Sequence, residues 1–260
     1  MTLVAVLYAN FHAQSDLSEN ARYFYENLKK RSTGLKYDLF WLEASPEIPA
    51  LVSTWPAVKK IFHFPENQGR DFGMWGRALG FEVFKSSNSG NKMHHAVIQP
   101  IDLSQYDYFL FLNKSCYGPN QDNWLEQFVE AFKKFPKAAV VGAMACAIGG
   151  WHIQTWAFML SRSDLQDLLR HEPRAFGDKM KFHPYWVFDS REVAISQYFL
   201  KKGKSIYCFL KNYPEIYLDA ALHQAAMIDS DPNYGMFREG LHGNLSKKQN
   251  LVFVKNTLGK

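Results

Sequence analysis

Tyr106-Asp107-Tyr108-Phe109-Leu110-Phe111-Leu112-Asn113-Lys114-Ser115-Cys116-Tyr117-Gly118-Pro119 is the stretch whose reading decides the fold. Its first half, Tyr108 to Leu112, is aromatic and aliphatic without a charge or a turn residue. A run this short and apolar on every side chain predicts a strand covered on both faces, the usual state of a central parallel strand. It stops at Asn113, Lys114 and Ser115 and is closed by the breaker pair Gly118-Pro119. Open α/β sheets take ligands in the crevice outside the carboxyl ends of their strands. An apolar strand that opens into Asn-Lys-Ser therefore either marks a ligand site or ends in an ordinary polar loop.

The surrounding chain supplies the rest of such a sheet. Leu3 to Tyr8, Tyr37 to Leu42 and Val58 to Phe64 read as three more strands, with a helix over Glu19 to Lys30 between the first two. That helix has Ala21, Phe24, Tyr25 and Leu28 at helical spacing, Asp16 or Ser18 to cap it and a basic C-terminus. Strand, helix, strand in so short a span is a βαβ unit, so the sheet is expected to be largely parallel. Further on, the patterns predict helices over 71–84, 122–135, 163–169 (capped by Ser163) and 190–201, and strands over 138–147, 152–161 and 205–210. Residues 213–260 read as a mostly irregular tail ending in the apolar run Leu251 to Val254.

Bulk properties narrow the class. With 260 residues, 47% hydrophobic and 21% charged, the chain can bury one substantial core and is far from disordered. A formal charge of +5 suits anionic small molecules and does not call for nucleic acid. Cys116, Cys146 and Cys208 are too few and scattered for a disulfide framework and lack metal spacing, so buried reduced thiols are expected. No apolar run reaches membrane-spanning length, and the apolar Met1 to Tyr8 is too short for a leader. A soluble, cytoplasmic protein with no transmembrane segment is the expectation.

Several residues stand where chemistry could occur. Asn67, Gly69, Arg70 and Asp71 form a polar turn feeding a helix from a strand end, which suits a phosphate or ribose or simply makes a tight turn with an Arg–Asp pair. Asp189 and Glu192 lie one turn apart at a helix start and can face one cleft; acidic groups also favour that position by roughly 0.3–1 kcal/mol each. His152 opens a strand, and His94-His95 border the loop-like Lys85 to Lys92. Tyr185 and Trp186, within the cluster Phe182 to Phe188, could stack on sugar rings or pack a core. Lys247-Lys248 could reach a phosphate or lie on a charged surface.

Taken in order, Glu66 to Trp75, Tyr106 to Pro119, His152-Ile153-Gln154-Thr155-Trp156, Glu192 to Ser196 with Gly203, and Phe253-Val254-Lys255 resemble one group of enzymes. These are GT-A-type glycosyltransferases of the rhamnan-synthesis F-like kind found in bacterial polysaccharide clusters, with relatives encoded by large algal viruses. The resemblance implies a single α/β GT-A-like (Rossmann-related) domain over 1–260, with a mostly parallel sheet flanked by helices. Its nucleotide-sugar half would cover about 1–120 and its acceptor half and tail about 121–260. It implies a nucleotide-sugar donor, a UDP-sugar foremost, contacted by Ala9, Asn10, Asn67, Arg70, Asp71, Asn113, Lys114, Ser115 and Lys247. A glycan acceptor would meet His152, Tyr185 and Trp186, and Glu192, with Asp189 as runner-up, would be the base of an inverting transfer.

One departure matters. Where GT-A enzymes carry Asp-x-Asp for a divalent ion, this chain reads Asn113-Lys114-Ser115. Mg²⁺ or Mn²⁺ prefers carboxylates, and Lys114 repels a metal while it could neutralise a diphosphate directly. Either catalysis is metal-independent or the ion is held elsewhere, with His242 as the candidate ligand. The same departure leaves open a catalytically inactive nucleotide-sugar or glycan-binding module of the same fold.

Overall fold

The computed structural model of the protein describes residues 2–12, 17–65, 70–80, 99–146, 151–177, 190–209, 215–216 and 253–255. The first four strands are β1 (Leu3–Asn10), β2 (Lys36–Glu43), β3 (Val58–His63) and β4 (Tyr108–Asn113). Between them come helices α1 (Glu19–Lys30), the short α2 (Ala50–Ser53) and α3 (Arg70–Ala78). The chain continues through β5 (Cys116–Tyr117), α4 (Trp124–Lys134), β6 (Ala138–Gly142), β7 (Ala145–Cys146), β8 (His152–Ile153) and β9 (Ala157–Ser161). Next are α5 (Arg162–His171), α6 (Ser190–Lys201), β10 (Ser205–Cys208), β11 (Glu215–Ile216) and β12 (Val254–Lys255).

Eight strands join in one sheet in the order β11-β10-β6-β9-β4-β1-β2-β3. Pairing is parallel from β3 through β2 and β1 to β4, and again between β6 and β10. Strand β9 runs antiparallel to both β4 and β6, and β11 is antiparallel to β10. This corrects one expectation: β4 is covered on both faces but has a parallel neighbour on one side only. A strand reached directly from a neighbouring turn can run antiparallel, whereas each parallel step needs a crossover.

Both faces of the sheet are apolar, as the unbroken runs require. In β1 the residues Val4, Val6 and Tyr8 pack with Phe24 of α1 and Phe128 of α4, while Ala5, Leu7 and Ala9 pack with Trp75 of α3 and Phe199 of α6. The same alternation puts Leu110 and Leu112 of β4 on the first side and Phe109 and Phe111 on the second. Phe111 stacks on Phe158 of β9 at 4.8 Å between ring centres. Ser18 caps α1 by accepting from the Ala21 N–H, and Ser161, two residues before the expected cap Ser163, caps α5 through the Asp164 N–H.

Two expected strands are each broken in two. The 138–147 strand divides into β6 and β7, and the 152–161 strand into β8 and β9 with a turn at 154–156. Gly142 ends β6 because Ile153 presses against it; a Cβ there would lie 2.0 Å from the Ile153 side chain. In the described part of the tail, β11 extends the main sheet and β12 pairs with β5, placing Val254 opposite Tyr117 and burying Phe253 against Trp124. Among the described residues no helix is long and apolar enough to cross a membrane.

Candidate functional site

The chain runs outward from β1 to β2 and β3 on one side and then returns to place β4 on the other. The strand order therefore reverses between β1 and β4, the topological switch point at which open α/β sheets bind ligands. Ala9 and Asn113 are register partners at the carboxyl ends of these two strands. The Lys114 N–H donates to the Ala9 carbonyl at 3.0 Å, which prolongs the ladder past the strand.

Around this point the polar groups meet one another. The Asn113 side chain uses both ends: its Nδ2 donates to Asp71 Oδ2 at 2.7 Å, and its Oδ1 accepts from the Ser115 N–H at 2.9 Å. Asp71 sits in the first turn of α3, where its Oδ1 also accepts from the Phe72 N–H at 3.1 Å. Arg70 before it has a φ of 53°, a left-handed conformation that costs a non-glycine residue of order 1–3 kcal/mol. Strain of that kind collects at ligand clamps. Lys114 is exposed, with its ammonium 5.0 Å from the centre of the Phe11 ring, and its carbonyl accepts from Asn20 Nδ2 of α1 at 2.9 Å.

Asn10 leads to a second cluster that sequence reasoning missed. Glu43 closes β2, is wholly buried, and accepts three hydrogen bonds. Its Oε2 takes Asn10 Nδ2 at 2.8 Å and Trp41 Nε1 at 2.9 Å, and its Oε1 takes the Ser45 N–H at 2.9 Å. Ser45 Oγ in turn accepts from the His12 N–H at 2.8 Å, and its carbonyl lies 2.9 Å from His63 Nε2. The one signal in the sequence is a charged residue directly after the buried run Phe40-Trp41-Leu42. Burial pushes the neighbouring Tyr8 phenol well above its ordinary value, with Cys116 and Glu43 adding to the effect. Burial likewise pushes the Cys116 thiol up, so it stays in its unreactive form.

Helix α6 joins the site through the 154–156 turn. Glu192, 8% exposed, accepts at Oε1 from the Thr155 N–H at 2.5 Å and from Thr155 Oγ1 at 3.1 Å. One helical turn on, Ser196 Oγ accepts from the Ile153 N–H at 2.9 Å. The carbonyl of Trp156 then accepts from the Asn113 N–H at 3.2 Å, so Glu192 and Asn113 are linked through two residues of one turn. Arg191 beside it is buried, stacks over the Phe72 ring at 4.6 Å and donates to the Gly177 carbonyl.

The fold thus brings Ala9, Asn10, Arg70, Asp71, Asn113, Lys114 and Ser115 to one strand-end region, with Glu192 adjoining. His152 is wholly buried in the β7–β8 pair. Asn67, Tyr185, Trp186, Asp189, His242 and Lys247 lie outside the described residues, as do His94 and His95. The strand-end donors do not suit a divalent ion: the carboxylate brought to Asn113 is that of Asp71, and it already accepts an amide N–H. Among the described residues no group of three His, Cys, Asp or Glu could hold a metal.

A depression of about 470 Å³ lies at the other end of β4, lined by Thr2, Asp107, Tyr108, Ser161, Arg162 and Ser163. It is open and away from the switch point, and none of the strand-end residues lines it.

No protein-family model matches the chain, and no curated protein matches it. Solved structures do overlap with it. Mouse xyloside xylosyltransferase 1 in its apo form is 11% identical over 64% of this chain and 69% of its own, with a TM-score of 0.36. The CMP:2-keto-3-deoxy-manno-octonic acid synthetase complexed with CTP is 12% identical over 88% of this chain and 99% of its own, with a TM-score of 0.43. These overlaps are loose, and the fold assignment rests on the strand order itself.

Proposed function

We propose that the protein is a glycosyltransferase that moves a sugar from a nucleoside-diphosphate donor, a UDP-sugar foremost, to a hydroxyl of a glycan acceptor with inversion. The observation that carries this reading is the convergence of Asn10, Asp71, Asn113 and Lys114 on the switch point between β1 and β4. The whole chain acts as one unit, with the donor in the half formed by about residues 1–120 and the acceptor over the remainder. Asn67 and Lys247 join the donor side, and His152, Tyr185 and Trp186 the acceptor side.

In this reading the acceptor oxygen bonds to the anomeric carbon while the bond from that carbon to the β-phosphate oxygen breaks. The nucleoside diphosphate leaves with the electron pair, and Lys114 and Arg70 stabilise its growing charge. The acceptor proton passes to a carboxylate, Glu192 or else Asp189. No step is routed through a metal; His242 remains the residue to test for one. Enzyme function predicts that the full chain, given a panel of nucleotide sugars with and without chelator, transfers or hydrolyses at least one of them. Glu192→Gln then lowers kcat by at least about a hundredfold, the usual scale for a general base.

A second reading is favoured by one contact. The Glu192 oxygen that binds Thr155 twice is held as a structural acceptor would be. On that reading the protein is a nucleotide-sugar or glycan-binding module without turnover. Donor binding with no product under any metal condition would decide for it.

A further inference from the structure

Tyr8, Asn10 and His12 alternate along the end of β1 and its exit. Each carries a buried polar atom with no hydrogen-bond partner among the described residues: the Tyr8 hydroxyl, Asn10 Oδ1 and His12 Nδ1. Buried polar atoms are satisfied in the great majority of cases, so three orphans at alternate positions on one strand end point to a ligand or ordered water completing them. Their neighbour Glu43 determines which group Asn10 offers. The other two groups bonded to Glu43, Trp41 Nε1 and the Ser45 N–H, only donate, so both of its oxygens serve as acceptors. The amide nitrogen of Asn10 must therefore face Glu43, which leaves the carbonyl oxygen as the orphan.

We infer that Glu43 is a positioning residue that locks the Asn10 amide so that its Oδ1 reads a base through an N–H donor, and that this makes the site prefer a uracil-type base. Uracil has an N–H at ring position 3, where cytosine of the same size has a lone pair. This rests on the strand-end crevice being a nucleotide site. Asn10 and Glu43 are both wholly buried, so bulk water does not compete for the bond between them.

The experiment measures binding of UDP and CDP to the full chain by calorimetry, in wild type and three variants. Wild type is expected to bind UDP roughly tenfold more tightly than CDP, the scale of one well-made hydrogen bond set against an orphaned acceptor. Glu43→Gln gives its carboxamide a donor of its own, releases the Asn10 flip and brings the ratio near one. Asn10→Ala removes the acceptor and does the same, which keeps the inference testable if Glu43→Gln does not fold. Trp41→Phe deletes another donor to Glu43 while leaving Asn10 fixed, so it lowers the melting temperature and preserves the ratio.

The inference is overturned if wild type shows no preference for UDP, if the folded Glu43→Gln and Asn10→Ala proteins keep the wild-type ratio, or if both weaken UDP and CDP equally, as a merely structural role would. Failure of wild type to bind either nucleotide removes the nucleotide-site reading along with it. Binding with an unaltered ratio removes only the role of Glu43.

Discussion

At the amino end of the sheet most charge pairs stand in water; at the carboxyl end, polar groups meet out of it. Lys59 donates to Asp38 at 2.6 Å, with their side chains 46% and 25% exposed. Arg162 pairs with Asp107, and Lys202 with Asp167, in similarly open settings. Glu43, by contrast, is wholly buried, pairs with no cation among the described residues, and is held by three neutral N–H groups. Exposed ion pairs contribute little because water competes for both partners. A buried carboxylate is costly to place and costlier still to leave with stranded partners. A chain maintains such a cluster where geometry matters more than stability, and here it stands beside the switch point.

The sharpest way to break this contrast is to delete one carboxylate. Glu43→Ala strands three buried donors, each worth about 1–3 kcal/mol, and is expected to lower the unfolding free energy by at least about 3 kcal/mol in a urea titration. A loss under 1 kcal/mol would mean that the cluster relaxes or is hydrated. At the opposite end Lys59→Met is expected to cost only about 0.2–1 kcal/mol in the same titration, since Asp38 stays partly solvated and keeps its bond from the Tyr106 hydroxyl. A cost equal to that of Glu43→Ala would erase the distinction between the two ends.

The smallest effect is a pH dependence. Lys202 and Tyr198 beside Asp167 hold its carboxyl below the ordinary carboxylate value. A depressed carboxylate contributes stability above its unfolded pKa, about 3.9, and the contribution is lost as pH falls through the lower folded value. The melting-temperature difference between wild type and Asp167→Asn should therefore be flat at neutral pH and shrink below about pH 4. A difference that grew on acidification would contradict the pairing.

Much of the sheet was legible in the residues. The runs at Leu3, Tyr37, Val58 and Tyr108 gave four strands, and the spacing of Ala21, Phe24 and Leu28 gave α1 with the bounds observed. These elements announce themselves because period and burial are local properties of the chain. The direction of β9 did not, because strand direction depends on which edge is free when the chain returns. The break at 143–144 lies inside an apolar run, where a turn made by packing against Gly142 leaves no polar signature, and the break at 154–156 is marked only by the polar pair Gln154-Thr155.

Of the candidate site, the strand-end residues Asn113 and Asp71 were visible singly, but their 2.7 Å bond was not. Glu43 follows the predicted strand with nothing nearby in sequence to mark its role, and its partners lie at Asn10, Trp41 and Ser45. The amino-acid sequence by itself determined where the chain extends, where it coils and which faces avoid water, because those follow from neighbours along the chain. Only the tertiary structure decided which acid is buried, which amide it orients and which strand ends adjoin, because each partnership joins groups that pairing across the sheet brings within hydrogen-bond reach.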